Sequence, residues 1–231
     1  MADRPYTLLS CGMSLDGYLD GATVKRLPLS NAADFDRVDA VRASCDAILV
    51  GAGTVRNDNP RLLVRSAKRR RERLARGLGP SPAKITVTTG GDIDPDAAFF
   101  TAGDADKFVY CPNDVVAAVR CRFGQRATVV GAGRRPVELR QICEDLSDRG
   151  IQRLMVEGGG SIHTQFLTGD LADELQLVVA PFFVGDSRAR RFVGDGRFPW
   201  NPHRRAPLAE VRQIGDVVLL RYALSSRFGM D

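Results

Sequence analysis

The chain has no apolar run approaching the roughly 18 residues a membrane-spanning helix needs, and no basic N-terminal segment followed by an apolar stretch. A membrane span and a secretory leader are therefore not expected, and a soluble, cytoplasmic protein is. Cysteine is scarce: Cys11, Cys45, Cys111, Cys121 and Cys143 are odd in number and form no C-x-x-C pair. That argues against a disulfide framework or a zinc site, and no metal is expected. Neither G-x-G-x-x-G nor G-x-x-x-x-G-K-[ST] occurs, so the dinucleotide fingerprint and the P-loop are both missing. No internal repeat is present.

What remains is 231 residues with 44% hydrophobic content, enough to bury a sizeable core in one large α/β domain spanning 1–231. The formal charge of +5 suggests nucleic acid until the charge is located. The stretch Arg65–Arg76, RSAKRRRERLAR, holds seven basic residues and one acidic one; the rest of the chain has 26 basic and 27 acidic side chains. Such a run is ordinarily a solvated loop or helix face. Its sharper reading is an anion-facing loop, but it lacks the interleaved aromatics of a single-strand binding platform, so no nucleic-acid partner is expected.

Short apolar or alternating runs predict strands at 6–11, 47–51, 84–89, 107–111, 127–131, 153–158, 174–181 and 216–224. Helical patterns separate most of them. One covers 34–45 with Asn31 or Asp34 as cap; a second starts with Asn113 as an N-cap candidate. A third has Pro136 in its first turn and Gly150 at its stop. This alternation predicts a mostly parallel central sheet with helices on both faces. Between the last two runs lies a segment rich in Gly, Pro and Arg, 181–207, with no clear helix. It predicts an antiparallel C-terminal edge, with 216–224 as the edge strand and a dimer element. The basic stretch 65–83 reads as an excursion from the domain.

In an open α/β sheet, ligands sit beyond the carboxyl ends of the strands. After the strand 153–158, Gly158, Gly159 and Gly160 permit close backbone approach, and Ser161 and Thr164 open a helix whose N-terminus suits a phosphate. Glu157 stands beside that site, where a carboxylate needs a donor such as a ribose hydroxyl or a ring N–H. A second turn, LVGAGTVRNDNPRLLVR (49–65), offers Gly51, Gly53, Thr54, Asn57, Asp58 and Arg65. A third, SLDGYLDG (14–21), reads as a loop with two Asp-Gly turn signals.

Taken in order, MSLDG, VRASCDAILVGAGTVRNDNPRLLVR, VEGGGSIHTQFL and LADELQLVVAPFFVG resemble the pyrimidine reductases of riboflavin biosynthesis, over about residues 6–224. The resemblance implies a dihydrofolate reductase-like α/β fold. It also implies NADPH-dependent reduction of a phosphoribosylamino-pyrimidine, of the 5-amino-6-(5-phosphoribosylamino)uracil type, to the ribitylamino product, by a homodimer. It places Gly12, Thr54, Asp58, Thr89, Gly159, Gly160, Ser161, Ile162, His163, Thr164 and Gln165 at the cofactor. Arg42, Leu62, Arg65 and Glu157 fall at the substrate, the arginines suiting its phosphate. Glu157 and Asp58 are the candidates for polar work at the reacting end.

Two positions depart from the bifunctional bacterial members: Ser10 replaces a Lys, and PLSN (28–31) replaces a segment with an aromatic residue. These keep open the alternative of a same-fold NADPH-dependent reductase acting on dihydrofolate or a pterin. The H-x-E and P-C-x-x-C ligands of a zinc deaminase are absent, so only the reductase half of such a protein is represented.

Overall fold

The computed structural model describes residues 4–21 and 27–229. It contains strands β1 (Tyr6–Ser14), β2 (Ala47–Gly51), β3 (Ala83–Val87), β4 (Lys107–Cys111), β5 (Thr128–Gly131), β6 (Arg153–Gly158), β7 (Glu174–Ala180), β8 (Leu208–Ile214) and β9 (Val217–Ala223). The helices are α1 (Ala32–Ser44), α2 (Ala52–Asp58), α3 (Ala67–Ala75), α4 (Ala98–Thr101), α5 (Val116–Phe123), α6 (Leu139–Asp148) and α7 (Gly160–Thr168). The chain divides into two compact units, one built from Asp39–Met155 and the other from Tyr6–Val38 and Val156 onward. No helix among the described residues is long and apolar enough to cross a membrane.

The fold is mixed α/β, with mostly parallel strands and antiparallel edge strands, as the sequence predicts. In the first unit, β2, β3, β4 and β5 are adjacent in that order and all parallel. Every residue of β2, AILVG, is buried. An uninterrupted apolar strand of this kind needs cover on both faces, which is why its pattern does not alternate. In the second unit, β1 runs parallel to β7, with Ser10 opposite Gln176. β9 is antiparallel to β7, and β8 is antiparallel to β9.

The C-terminal edge differs from the sequence expectation in one respect. β9 is not the edge strand; it is flanked by β7 and β8, and β8 is outermost. LAEVRQI escaped notice because an edge strand needs no apolar face, and none of the seven residues of β8 is buried. The expected strand at 84–89 ends at Val87, which leaves Thr89 exposed in a bend. Asn113 lies in a single 3₁₀ turn and caps nothing, since α5 begins at Val116. Pro136 precedes α6 rather than entering its first turn, whereas Gly150 follows that helix at φ 83°, as a stop should. Asn31 does cap α1: its Oδ1 accepts the N–H of Asp34 at 3.0 Å.

Lys84 is an unexpected core residue. It is fully buried on β3, and its Nζ donates to the carbonyl of Phe99 at 2.9 Å and to that of Ala102, at the end of α4. Burial first, and Lys107 second, pull its pKa from 10.5 down to about 8. Between those values the native state binds fewer protons than the unfolded chain, so this residue makes stability rise with pH across the window. For Lys84→Met, the stability difference from the parent protein should fall by up to about 3 kcal/mol between pH 7.5 and 10.5. Urea unfolding at a series of pH values measures it; a pH-independent difference would contradict this account.

Candidate active site

In the second unit, β6 ends in a glycine turn that leads directly into α7. Gly158 has φ 111°, a conformation that L side chains rarely adopt, and the Gly158–Gly159 peptide is cis. A Cβ on Gly158 would lie 3.2 Å from the His163 ring, and one on Gly160 would lie 2.3 Å from the carbonyl oxygen of Arg191. Two of the three glycines are therefore required by the chain itself. The carbonyl of Gly159 accepts the N–H groups of Ile162 at 2.9 Å and His163 at 3.1 Å. The N–H groups of Gly160 and Ser161 precede these first helical bonds, at the positive end of the helix dipole. Ser161 is exposed, and the first turn of α7 carries no acidic residue.

An arm from the loop before β8 braces this turn. Thr164 Oγ1 donates to the Gly160 carbonyl at 2.7 Å and accepts the N–H of Gly194 at 2.8 Å. The Phe192 ring packs on His163, with centroids 5.5 Å apart. Glu157, at the end of β6, is half-buried. Gly12, on β1, is closely approached: a Cβ there would be 3.1 Å from the carbonyl oxygen of Leu29, a tight contact.

Four of the expected residues take more restricted roles than the sequence allowed. Ile162 and His163 are buried and their N–H groups are used within the turn, so neither side chain faces solvent. Burial holds the His163 imidazole neutral, its pKa lowered to about 4, with only the Val156 backbone working the other way. Thr164 serves the arm. Gln165 folds back on the helix, its Nε2 donating to the Ser161 carbonyl and hydroxyl at 3.2 Å each.

In the first unit, β2 leads into α2, which carries Thr54 in its first turn and Asp58 at its last residue, both half-buried. Among the described residues, apart from its chain neighbours and its own helix backbone, nothing lies within 4 Å of where a Gly53 Cβ would be, so their packing does not explain that glycine. The chain then turns through Asn59 (φ 41°) and Leu62 (φ 49°). Leu62 is buried, and a leucine at positive φ is an outlier of the kind that collects at functional sites. Arg42 is half-buried and its Nη1 lies 3.5 Å from the Leu63 carbonyl oxygen; Arg65 is exposed. Thr89 is exposed beyond β3, while its neighbour Thr88 is buried and its hydroxyl accepts the N–H groups of Gly90 and Gly91.

Asp39 fixes the segment that carries Arg65. This buried carboxylate accepts the backbone N–H groups of Arg65 and of Ser66, the latter at 3.1 Å, and the guanidinium of Arg69 at 2.9 Å. Burial alone would raise its pKa; these donors outweigh that and hold it below the usual carboxylate range.

Most of the basic run lies on helix α3, one of the two ordinary readings of its sequence, and part of its charge is used internally. Arg73 is buried, donating to the carbonyls of Gly79, Ala43 and Cys45 at 2.7–2.9 Å. Arg70 donates to the carbonyls of Val64 and Arg65. Nothing in the sequence marks Asp39 or Arg73 as special, because their roles come from contacts made after folding.

Residues 5–220 match the RibD C-terminal domain, and the chain belongs to that family. It is 34% identical over 228 residues to the 2,5-diamino-6-ribosylamino-4(3H)-pyrimidinone 5′-phosphate reductase of Methanothermobacter thermautotrophicus, with 96% of this chain and 99% of that one aligned. To the enzyme of the same name from Archaeoglobus fulgidus it is 33% identical, over 97% and 99% of the two chains. The solved riboflavin biosynthesis reductase Rib7 of Saccharomyces shares the fold at TM-score 0.71 and 20% identity, over 96% of this chain and 90% of that one. The Thermotoga maritima deaminase/reductase also matches, at TM-score 0.75 and 20% identity; 95% of this chain covers 56% of it.

Gly160→Ala should lower stability by about 2–4 kcal/mol, since backbone must move to admit the methyl group, while Gly53→Ala should change it by less than about 1 kcal/mol. Urea unfolding of both variants decides, and equal costs would contradict the close approach at Gly160.

Proposed function

We propose that this chain, acting as one reductase domain, catalyses the NADPH-dependent reduction of a phosphoribosylamino-pyrimidine to its ribitylamino product in riboflavin biosynthesis. The observation that carries this reading is the glycine turn at the head of α7. It presents main-chain N–H groups with no acidic residue in the first turn, in a chain that aligns end to end with named pyrimidinone phosphate reductases. That turn suits a pyrophosphate, and Gly53, open to solvent in α2, leaves room for a second close backbone approach.

NADPH, when bound, supplies the hydride that goes to the sugar C1′ as the ring opens. Gly159, Gly160 and Ser161 hold its pyrophosphate through the main chain, and Thr54 and Thr89 offer hydroxyls to the ribose or 2′-phosphate. The substrate phosphate goes to Arg65 and Arg42, whose guanidinium forks suit it. Asp39 contributes by fixing the backbone at Arg65. Glu157 accepts a hydrogen bond from the pyrimidine, and Asp58 orients the polar groups at the reacting carbon.

The sequence leaves open whether the substrate is taken before or after deamination of its ring. The relatives at 31–34% identity are named for the diamino-pyrimidinone, so the form that still carries the ring amino group is the better proposal. We also propose a homodimer, but through β8 rather than 216–224: Leu208 and Val211 on that outer strand are 52% and 59% exposed.

Loss of NADPH absorbance with each pyrimidine in turn tests the reaction, and turnover should favour the diamino-pyrimidinone. Arg65→Gln should raise KM for the phosphorylated substrate about 10- to 100-fold with little change in NADPH affinity. Glu157→Gln should lower kcat/KM about 100-fold. Absence of saturable NADPH binding would remove the reading altogether, and sedimentation of the same sample as a monomer would remove the dimer.

A further inference from the structure

The second unit holds an apolar cavity of about 270 Å³ that the proposed reaction does not use. Its walls include Phe192, Val193, Phe198, Trp200, Tyr222 and Leu224. Three of its lining residues, Phe198, Trp200 and Ala206, come from the segment Arg197–Ala206, which also carries Arg197, His203, Arg204 and Arg205 and no acidic residue. All four of those basic side chains are exposed, and the Arg204 guanidinium sits 5.7 Å from the centre of the Trp200 ring. Aromatic walls on a segment that also exposes cationic side chains, with Arg204 beside Trp200 and 3.8 Å from the Asp170 carboxylate, are complementary to a flat apolar body bearing a negative charge.

The cavity also shares a wall with the glycine turn. Phe192 and Val193 line it, and the same arm touches α7 three times. The Arg191 carbonyl closes on Gly160, Phe192 packs on His163, and Gly194 bonds Thr164. A molecule in the cavity would press on a segment that cannot shift without disturbing the head of α7.

We propose that this cavity is a binding site for a small aromatic anion, and that its occupancy is coupled through residues 191–194 to the turn at the head of α7. The coupling, though not the site, rests on the reading that this turn holds NADPH.

Trp200 is the single tryptophan of the chain and stands in the cavity wall, so it is the one donor, and the cavity variants tell a probe bound there from one bound elsewhere. The probe is 8-anilinonaphthalene-1-sulfonate, titrated into the full-length protein while energy transfer from Trp200 is followed. Saturable one-to-one transfer is expected. Ala206→Phe, which fills the cavity from a partly exposed position, should weaken it about tenfold. The double variant Arg204→Gln/Arg205→Gln should weaken it about fivefold and remove most of its salt dependence. Saturating NADPH should shift the probe's apparent affinity about fivefold.

Probe fluorescence without saturable transfer from Trp200, or affinity unchanged in both variants, would overturn the site. The double variant changes only exposed side chains and decides the matter if Ala206→Phe misfolds. A cavity covered by a second copy of the chain would appear as dissociation on adding probe, which also overturns the proposal. Probe binding that NADPH leaves unchanged, in a protein that binds NADPH, overturns the coupling. Failure of NADPH to bind at all would instead count against the reductase reading and leave the site intact.

Discussion

The close approach of the Arg191 carbonyl to Gly160 is the constraint on which the glycine turn at the head of α7 depends. No side chain fits between them, so the first residue of α7 is glycine and the arm at 191–194 lies flat on the helix head. Thr164 then serves both sides, donating to Gly160 and accepting from Gly194. Behind the turn, the neutral His163 ring fills the space that a side chain on Gly158 would otherwise take. The consequence is a helix start whose first N–H groups, those of Gly160 and Ser161, are held in fixed positions before any ligand arrives. Fixed donors bind an anion without the ordering cost that mobile ones incur.

The treatment of positive charge follows a related logic. A run of arginines looks like a surface for polyanions, yet Arg73 holds three carbonyls, Arg69 pairs with Asp39 and Arg70 grips the segment ahead of its own helix. The contacts of Arg70, and of Arg69 through Asp39, fix the backbone at 64–66, where Arg65 is exposed. Part of the charge in this run is therefore taken up in contacts inside the first unit.

How much of this the sequence revealed depended on whether local chemistry or later contact fixes each feature. The buried strand AILVG and the strand–GGG–helix passage at 153–168 were legible because apolar runs and glycine turns act through the local backbone. Strand β8 was not, since it sits at an edge with an exposed face and nothing periodic to mark it. The ends of β3 and the start of α5 slipped by a few residues for the usual reason that caps depend on tertiary neighbours. Of the candidate site, Glu157, Arg65 and the glycines could be named in advance. The burial of Ile162 and His163 and the anchoring role of Asp39 could not, because each needs residues far away in the chain. Lys84 is the extreme case: an ammonium in the core is predictable only once the carbonyls at the end of α4 are in place.

The central claim is that main-chain N–H groups at the head of α7 hold the pyrophosphate of the cofactor. Amide nitrogen–proton correlation spectra recorded during an NADPH titration test it most directly. The account predicts that the Gly160 and Ser161 amide signals move saturably downfield, with the same midpoint as nicotinamide fluorescence. Saturable cofactor binding that leaves both amides unmoved would contradict it.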